Sequence, residues 1–339
     1  MKKVAFVVNS IGGGGAEKSA VQIVGQLRQF GLNVELIAIN SSEMPTDQID
    51  FAIELERERS AGLVATLFSL WKFRRLIVEK QYKCLVLNCD LPELFGLLAP
   101  KDLSIVLVEH ANPPWSNREL IGRLTRLILS RRNIRYVVVS KHLKIWSRKV
   151  IEPICIPNPL DELTSSWTFE SGSELKRLVY VGRLSLLFKR PEMVLRIAKE
   201  SKLPCVFIGQ GDKLRDLQSQ ANSFKIIAEF TGFVKDPWSK VRAGDLIIIP
   251  SSAEGDGLVL VEAVQRKIPF LATDIPDLNK YGIGRKNYCK DEKEFILRIQ
   301  KFAKQLDSLV VASQIRAEIT KSRELSTVSA KWKDLLRSL

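Results

Sequence analysis

Short, unbroken apolar runs alternate along this chain with longer stretches in which apolar positions return every three or four residues. Val4-Ala-Phe-Val-Val8 is the first such run, and it predicts a strand that ends in Asn9-Ser10 and a glycine-rich loop. Helical spacing then predicts a helix over Ala16 to Phe30, Gly31 stops it, and a second strand follows over Val34 to Ile39. This is a βαβ opening. Further strand-length runs stand at Cys84-Leu-Val-Leu87, Ile105-Val-Leu-Val108 and Tyr136-Val-Val-Val139. After an interruption they resume at Leu178-Val-Tyr-Val181, Cys205-Val-Phe-Ile208, Ile226 to Phe230, Leu246-Ile-Ile-Ile249 and Phe270-Leu-Ala-Thr273. Helical stretches separate them at Pro191 to Glu200, Lys213 to Ala221 and Leu258 to Arg266. Strands that are apolar throughout are buried on both faces, so the pattern predicts parallel, doubly wound α/β sheets, and predicts them twice.

The interruption places a domain boundary. Two prolines break the pattern in Ile156-Pro-Asn-Pro159, and Ser165 to Ser173 is polar and short of aliphatics. The expected division is 1–158, then 159–318, then a terminal helix over 319–339. In that helix Trp332, Leu335, Leu336 and Leu339 share one apolar face, expected to dock back on the first domain. A chain of 339 residues also exceeds one comfortable core and fits two domains of roughly 150 residues each. Ligands of doubly wound sheets bind beyond the carboxyl ends of the strands, so two facing Rossmann-like domains predict a site in the cleft between them.

Composition narrows the setting. The five cysteines are odd in number, scattered, and form no Cys-x-x-Cys pair, which argues against a disulfide framework or structural zinc and for a reducing cytoplasm. Lys2 and Lys3 before Val4 to Val8 do not make a signal peptide, because the apolar run is too short. No stretch reaches the ~18 apolar residues of a membrane span; the nearest, Ala61 to Trp71, is closed by Lys72, Arg74 and Arg75. The expected protein is soluble or peripheral.

The net charge of +14 is unevenly spread: from Arg118 to Lys149 ten Lys or Arg face the single acid Glu119. Leu120, Ile121, Leu124, Leu127 and Ile128 recur there at helical spacing, with Arg123, Arg126, Arg131 and Arg132 mostly between them. That pattern suits an anionic membrane surface. It equally suits a helix that buries its apolar stripe on a sheet and leaves its arginines in water. No RNP, zinc-finger or base-stacking pattern accompanies the charge, so nucleic acid is not the expected partner.

Candidate chemistry collects after the strands. In Pro250-Ser-Ser-Ala-Glu-Gly-Asp-Gly-Leu-Val-Leu-Val-Glu-Ala263, Gly255 and Gly257 permit a tight strand-to-helix turn. Glu254 then sits in the loop and Glu262 one turn inside the helix. A carboxylate accepts two hydroxyl hydrogen bonds and a helix N-terminus binds phosphate, the two chemistries of a sugar nucleotide. Arg183 and Lys189, between a strand and the helix at Pro191, supply fixed cations for a departing diphosphate. His110 follows the strand ending at Val108, where an imidazole can meet a substrate hydroxyl, while His142 is read as surface. Gly12-Gly-Gly-Gly-Ala-Glu-Lys18 lacks the Gly-x-Gly-x-x-Gly spacing, and Asn40 stands where a ribose-binding acid is expected, which lowers a dinucleotide reading. The loop still brings N–H groups close to an anion or a sugar. P-loop, zinc-peptidase, Gly-x-Ser-x-Gly and Asp-x-Asp motifs do not occur.

The constellation resembles the retaining glycosyltransferases of family 4, which have the GT-B fold of two Rossmann-like domains and carry a Glu-x7-Glu motif. The matching residues are Gly14-Gly-Ala-Glu17, His110, Val139-Ser140, Pro157-Asn-Pro159, Gly182-Arg-Leu184 with Lys189, and Gly209-Gln-Gly211. Thr231-Gly-Phe233, Pro250-Ser251, Glu254-Gly255, Gly257, Glu262-Ala263 and Ala272-Thr-Asp274 complete them. The resemblance implies that Glu262 holds the nucleotide ribose, and that Glu254 and the backbone from Gly255 to Leu258 contact the transferred sugar and diphosphate. Arg183 and Lys189 would carry the leaving group, and His110 would stabilise an oxocarbenium-like transition state. The implied donor-binding set is Gly14, Gly15, Gly182, Gly209, Gly255, Asp256, Gly257, Leu258 and Glu262. The implied donor is a UDP- or GDP-sugar, with no metal or other cofactor. The acceptor would be a glycolipid or oligosaccharide, at the inner face of the bacterial cytoplasmic membrane, in surface polysaccharide or lipopolysaccharide assembly.

Three departures stand out. Asp256 replaces the usual apolar residue between two glycines, Gln265-Arg-Lys-Ile268 replaces a small-Cys-Gly turn, and the spacing from Arg183 to Lys189 is one longer than the more frequent one. The first puts a third carboxylate where donor preference is expected to be set. A non-catalytic relative that kept the fold, and a basic nucleic-acid-binding protein, are the alternative functions.

Overall fold

Each apolar run becomes a parallel strand, and the order in which the strands pair fixes where a ligand can sit. The computed structural model describes the chain apart from residues 1, 13, 42–48, 59–61, 112–114, 116–117, 144, 146–151, 164–173 and 186, and apart from the side chain of Leu63. The polar stretch Ser165 to Ser173 and the end of the basic segment, Lys144 and 146–149, therefore lie outside the described residues. Two compact units result. One comprises Met1–Asp161 with Arg323–Leu339, the other Glu162–Ser322.

The first unit runs β1 (Val4–Val8), α1 (Gly15–Gln29), β2 (Val34–Asn40), β3 (Ala52–Arg57), α2 (Leu63–Glu79), β4 (Cys84–Asn88), α3 (Asp90–Gly96), β5 (Ser104–Glu109), α4 (Glu119–Leu129), β6 (Ile134–Val138) and β7 (Ile154–Cys155). The second runs β8 (Arg177–Val181), α5 (Pro191–Ser201), β9 (Cys205–Ile208), α6 (Leu214–Phe224), β10 (Ala228–Gly232), β11 (Asp245–Ile249), α7 (Leu258–Gln265), β12 (Phe270–Thr273), α8 (Pro276–Asn279), β13 (Tyr288–Cys289), α9 (Glu292–Phe302) and α10 (Ser313–Ser322). Helix α11 (Leu325–Arg337) returns to the first unit.

The sheets are ordered β3-β2-β1-β4-β5-β6-β7 and β10-β9-β8-β11-β12-β13, with every pair parallel. Both orders reverse direction beside the first strand of the unit, between β1 and β4 and between β8 and β11. At such a point the connections leave to opposite faces and open a crevice at the carboxyl ends.

The first sheet is covered on one face by α1 and α11: Val328, Trp332, Leu335 and Leu336 pack on the side chains of β1, β2 and β4. The Trp332 indole meets Phe6 edge-on at 5.1 Å. The opposite face takes Phe73 and Ile77 from α2, Phe95 from α3 and Leu129 from α4.

Helix α4 is oriented against the expectation that it packs its aliphatic stripe on the sheet and leaves its arginines in water. Its buried stripe is Gly122, Thr125, Arg126 and Leu129, whereas Leu120, Ile121, Leu124 and Ile128 are exposed. Arg126 is withdrawn from the surface because two acids hold it. It donates to Glu93 from Nε at 2.9 Å and from Nη2 at 2.7 Å, and to Glu109 at 2.7 Å, while Trp115 Nε1 also donates to Glu93 at 2.9 Å. Arg132 is likewise turned inward, donating to the carbonyls of Gly96 and Leu97. Among the described residues no helix is long and apolar enough to cross a membrane.

Candidate active site

Glycine backbones draw the carboxyl ends of β8, β9 and β10 together. Gly182 and Gly209 both have φ of +146°, a region that side chains rarely adopt. A Cβ on Gly209 would stand 2.0 Å from the Gly182 carbonyl oxygen, and one on Gly211 2.2 Å from that of Leu184. Gly182 N–H donates to Ile208 O and Gly209 N–H to Gly232 O. These glycines therefore serve close backbone approach, which holds the Arg183 loop at the crevice. Arg183 itself is exposed, and its carbonyl accepts the buried Tyr180 hydroxyl at 2.8 Å.

Across the switch point, Pro250 to Gly257 leaves β11. Lys189 Nζ donates to Glu254 Oε1 at 2.7 Å, and Ser251 Oγ donates to the same oxygen at 2.7 Å. Ser252 N–H donates to Phe188 O at 2.8 Å, so main chain as well as charge ties the 183–190 loop to the Glu254 loop. The Glu254 N–H donates to Asp277 at 3.2 Å. Its side chain is 10% exposed and that of Lys189 35%, an ion pair with one dry and one wet member.

Gly257, at φ +70°, caps α7, and Leu258 begins it. Asp256 is buried, with its carboxylate 3.9 Å from Lys280 Nζ, and the Tyr281 hydroxyl donates to the Asp256 carbonyl. Gly255 O accepts from the same Lys280. Asp256 thus ties its loop to the segment after α8. Glu262, half-buried on α7, accepts from Trp238 Nε1 at 3.2 Å. The guanidinium of Arg266 lies 5.1 Å from the Trp238 ring centre.

In the first unit, Gly14 precedes α1 in an extended conformation and Gly15 begins it. His110 follows β5, and its Nε2 lies 3.2 Å from Asn88 Oδ1 at the end of β4. Asn88 Nδ2 donates to Val7 O and Val86 O, which turns its oxygen toward the ring. A cavity of about 10 Å³ beside His110 is lined in part by Ala16, Ser19, Asn88 and Asn158. Glu109, the residue before His110, belongs to the Arg126 network. Burial pushes the Glu109 carboxyl up to about 7, with Glu93 and Asp90 adding to the rise and Arg126 opposing it. Burial and the Glu93 charge push Asp90 up to about 6. Among the described residues no group of His, Cys, Asp and Glu has the arrangement of a metal site.

The sequence-predicted residues therefore divide between the units. His110, Gly14 and Gly15 belong to the first. Gly182, Arg183, Lys189, Gly209, Glu254, Gly255, Asp256, Gly257, Leu258 and Glu262 belong to the second, where Lys189 and Glu254 touch directly. Sequence reasoning named Ser251 and Arg266 within motif segments but gave no role to them, nor to Trp238, Asn88 and Lys280. The available signal was a tryptophan in the loop after β10, at the ligand end of the sheet.

Over residues 164–320 the chain matches the family model of glycosyl transferases group 1. It is 21% identical, over 362 aligned positions covering 99% of this chain and 98% of the relative, to a Campylobacter jejuni enzyme. That enzyme is the GalNAc-alpha-(1->4)-GalNAc-alpha-(1->3)-diNAcBac-PP-undecaprenol alpha-1,4-N-acetyl-D-galactosaminyltransferase of subsp. jejuni serotype O:2. The structure of Anabaena HepE in complex with UDP and glucose superposes with a TM-score of 0.78 at 15% identity, covering 100% of both chains. The lipopolysaccharide outer core galactosyltransferase WaaB, in its apo form, gives a TM-score of 0.68 at 14% identity over 99% of each chain. The fold is GT-B, two Rossmann-like units of parallel α/β topology. The family match and this fold together support the GT-B glycosyltransferase superfamily.

Proposed function

We propose that this protein is a retaining, metal-independent glycosyltransferase of the family 4 type, with Glu254 and Glu262 as its Glu-x7-Glu pair. It moves a sugar from a UDP- or GDP-linked donor to a lipid-linked or saccharide acceptor. The observation that carries this reading is the Lys189–Glu254–Ser251 cluster in the loop between β11 and α7, beside the β8/β11 switch point, with Glu262 on α7. A cation, a dry carboxylate and free helical N–H groups there match a diphosphate, a sugar hydroxyl and a ribose.

In the proposed reaction the bond between the anomeric carbon and the diphosphate oxygen breaks, and the acceptor oxygen bonds to that carbon from the same face. The acceptor's proton passes to a diphosphate oxygen. Arg183 and Lys189 carry the charge that develops on the leaving group, in fixed positions that need no reorganisation. Glu262 holds the ribose hydroxyls. Glu254 and the N–H groups from Gly255 to Leu258 hold the sugar and diphosphate, and His110 stabilises the oxocarbenium-like transition state. Gly14, Gly15, Gly182 and Gly209 let backbone approach the donor.

The pathway reading is bacterial surface polysaccharide or lipopolysaccharide assembly at the inner face of the cytoplasmic membrane. Its support is the polyprenyl-linked glycan in the name of the Campylobacter relative and the lipopolysaccharide core in that of WaaB. A panel of UDP- and GDP-sugars, read by nucleotide release with EDTA present, tests the reaction. One donor is expected to turn over, and Glu262→Ala and Arg183→Ala to lose that activity. Full activity in both variants would remove the assignment. Absence of UDP and GDP binding at millimolar concentration would favour a non-catalytic relative.

A further inference from the structure

Helix α4 wears its amphipathic pattern inside out. The stripe it turns to the sheet holds a glycine, a threonine and an ion-paired arginine, and the stripe it turns away holds Leu120, Ile121, Leu124 and Ile128, at 79%, 48%, 60% and 46% exposure. The inversion is fixed by packing. Gly122 is covered by the Trp115 indole, where a Cβ would stand 2.3 Å from the ring, and Arg126 is anchored on Glu93 and Glu109. The helix cannot roll its aliphatic stripe inward without unmaking that network.

Helix α2 repeats the feature on the same face of the sheet. It buries Ser69, Phe73 and Ile77 and exposes Val64, Leu67, Phe68, Trp71 and Val78. The two helices are joined at one turn. Arg74, from α2, donates to Leu98 O at 2.7 Å, and Arg132, just beyond α4, donates to Leu97 O at 2.8 Å. Leu98 is itself exposed. Of sixteen large hydrophobic side chains exposed among the described residues, ten lie on these two helices and this turn. Scattered single exposures are ordinary, whereas a concentration of this kind marks an interaction surface.

Charge selects the occupant. Lys72, Arg74 and Arg75 border the α2 stripe, and Arg123 and Arg131 border that of α4. The acids in the two helices' exposed rows, Glu79 and Glu119, are each paired four residues away with Arg75 and Arg123. The aromatic pair of α2 is stacked, Phe68 on Trp71 at 5.8 Å, with Lys72 over one ring and Arg75 over the other. Apolar stripes with an aromatic pair, rimmed by cations, are the arrangement by which helices lie in a lipid interface, side chains in the acyl boundary and cations among phosphates.

We infer that the α2–α4 face of the first unit is a docking surface for an anionic lipid bilayer, with the exposed residues of both helices entering it. The inference deepens the reading of a lipid-linked acceptor and differs from a purely electrostatic contact, since Arg126 and Arg132 are engaged inside the protein. Its test involves no sugar transfer, so either reading can fail alone.

The full chain is mixed with vesicles of phosphatidylcholine alone or with about 30% phosphatidylglycerol, and binding is measured by flotation. Comparison is made with Phe68→Ser/Trp71→Ser, Leu124→Ser/Ile128→Ser and Arg75→Glu/Arg123→Glu. Each pair alters exposed positions, and circular dichroism melts check the fold. The expected result is binding to the anionic vesicles only, weakened at least tenfold by each pair, with Trp71 quenched by brominated acyl chains in the wild type. Three results would overturn the inference: no wild-type binding, wild-type affinity in both serine pairs, or oligomers abolished by the serine pairs while vesicle binding persists. The last would give the face to a second copy of the chain.

Discussion

Trp238 Nε1 donates to Glu262 Oε2 across 3.2 Å, and Arg266 covers the same indole at 5.1 Å. One carboxylate oxygen of the proposed ribose ligand is thereby oriented by a side chain from the loop after β10. Arg266 lies in the turn where this chain departs from the family pattern, so that departure and Trp238 form one unit. Replacing Trp238 by Phe keeps an aromatic ring there and removes the N–H together with the fused five-membered ring. A net hydrogen bond of this kind is worth about 0.5–1.5 kcal/mol, or roughly two- to tenfold in affinity. Calorimetry with UDP and GDP is expected to return that loss, alongside a lowered melting temperature because Trp238 is buried. An unaltered dissociation constant would mean that Glu262 is oriented without Trp238.

Lys189 and Glu254 meet at 2.7 Å with Ser251 on the same carboxylate oxygen. In the proposed reaction Lys189 acts on charge that grows as the diphosphate departs, so its loss should fall on kcat more than on KM. Lys189→Ala is expected to lower kcat by on the order of 10²–10³, the usual effect of removing one fixed electrostatic donor. Lys189→Arg should recover part of it. A few-fold loss confined to KM would reassign Lys189 to holding the loop.

How far the sequence reveals this architecture depends on which force dominates each element. Strands such as Leu246 to Ile249 are continuous apolar runs whose burial leaves one solution. Short edge strands such as β3, β7 and β13 carry no such run, and β3 mixes Glu54, Glu56 and Arg57 with its apolar residues. The orientation of α4 was illegible for a different reason. Periodicity identifies two faces of a helix but not which one meets the sheet, and here Glu93 and Glu109, 33 and 17 residues away in sequence, decide. Trp238 escaped notice because its partner lies 24 residues on, across two elements.

The Arg126 network makes a stability prediction. The side chains of Arg126, Glu93 and Glu109 are 4%, 1% and 7% exposed, so none can recover water when a partner is removed. Arg126→Met leaves two buried carboxylates facing each other and is expected to cost about 3–5 kcal/mol in urea unfolding. Adding Glu93→Gln should return part of that loss, because it removes one stranded charge. If the single variant unfolds within about 1 kcal/mol of the wild type, the network is not closed in solution.

Glu109 gives the stability a pH dependence whose sign follows from burial. Its carboxyl, ordinarily at 4.5, is held up at about 7 in the folded chain. Between those values the folded state binds a proton that the unfolded state has released, so stability falls as pH rises through the interval. The favourable contribution is complete below about 4.5 and gone above about 7. Asp90, raised from 3.8 to about 6, adds a slope of the same sign over a lower window. Glu109→Gln retains an oxygen to accept from Arg126 and removes the titration. Melting temperatures between about pH 5 and 8 should therefore decline in the wild type relative to this variant, with the gap opening through neutrality. Parallel curves would mean that Arg126 keeps Glu109 ionised throughout, and that the rise produced by burial is cancelled by the ion pair.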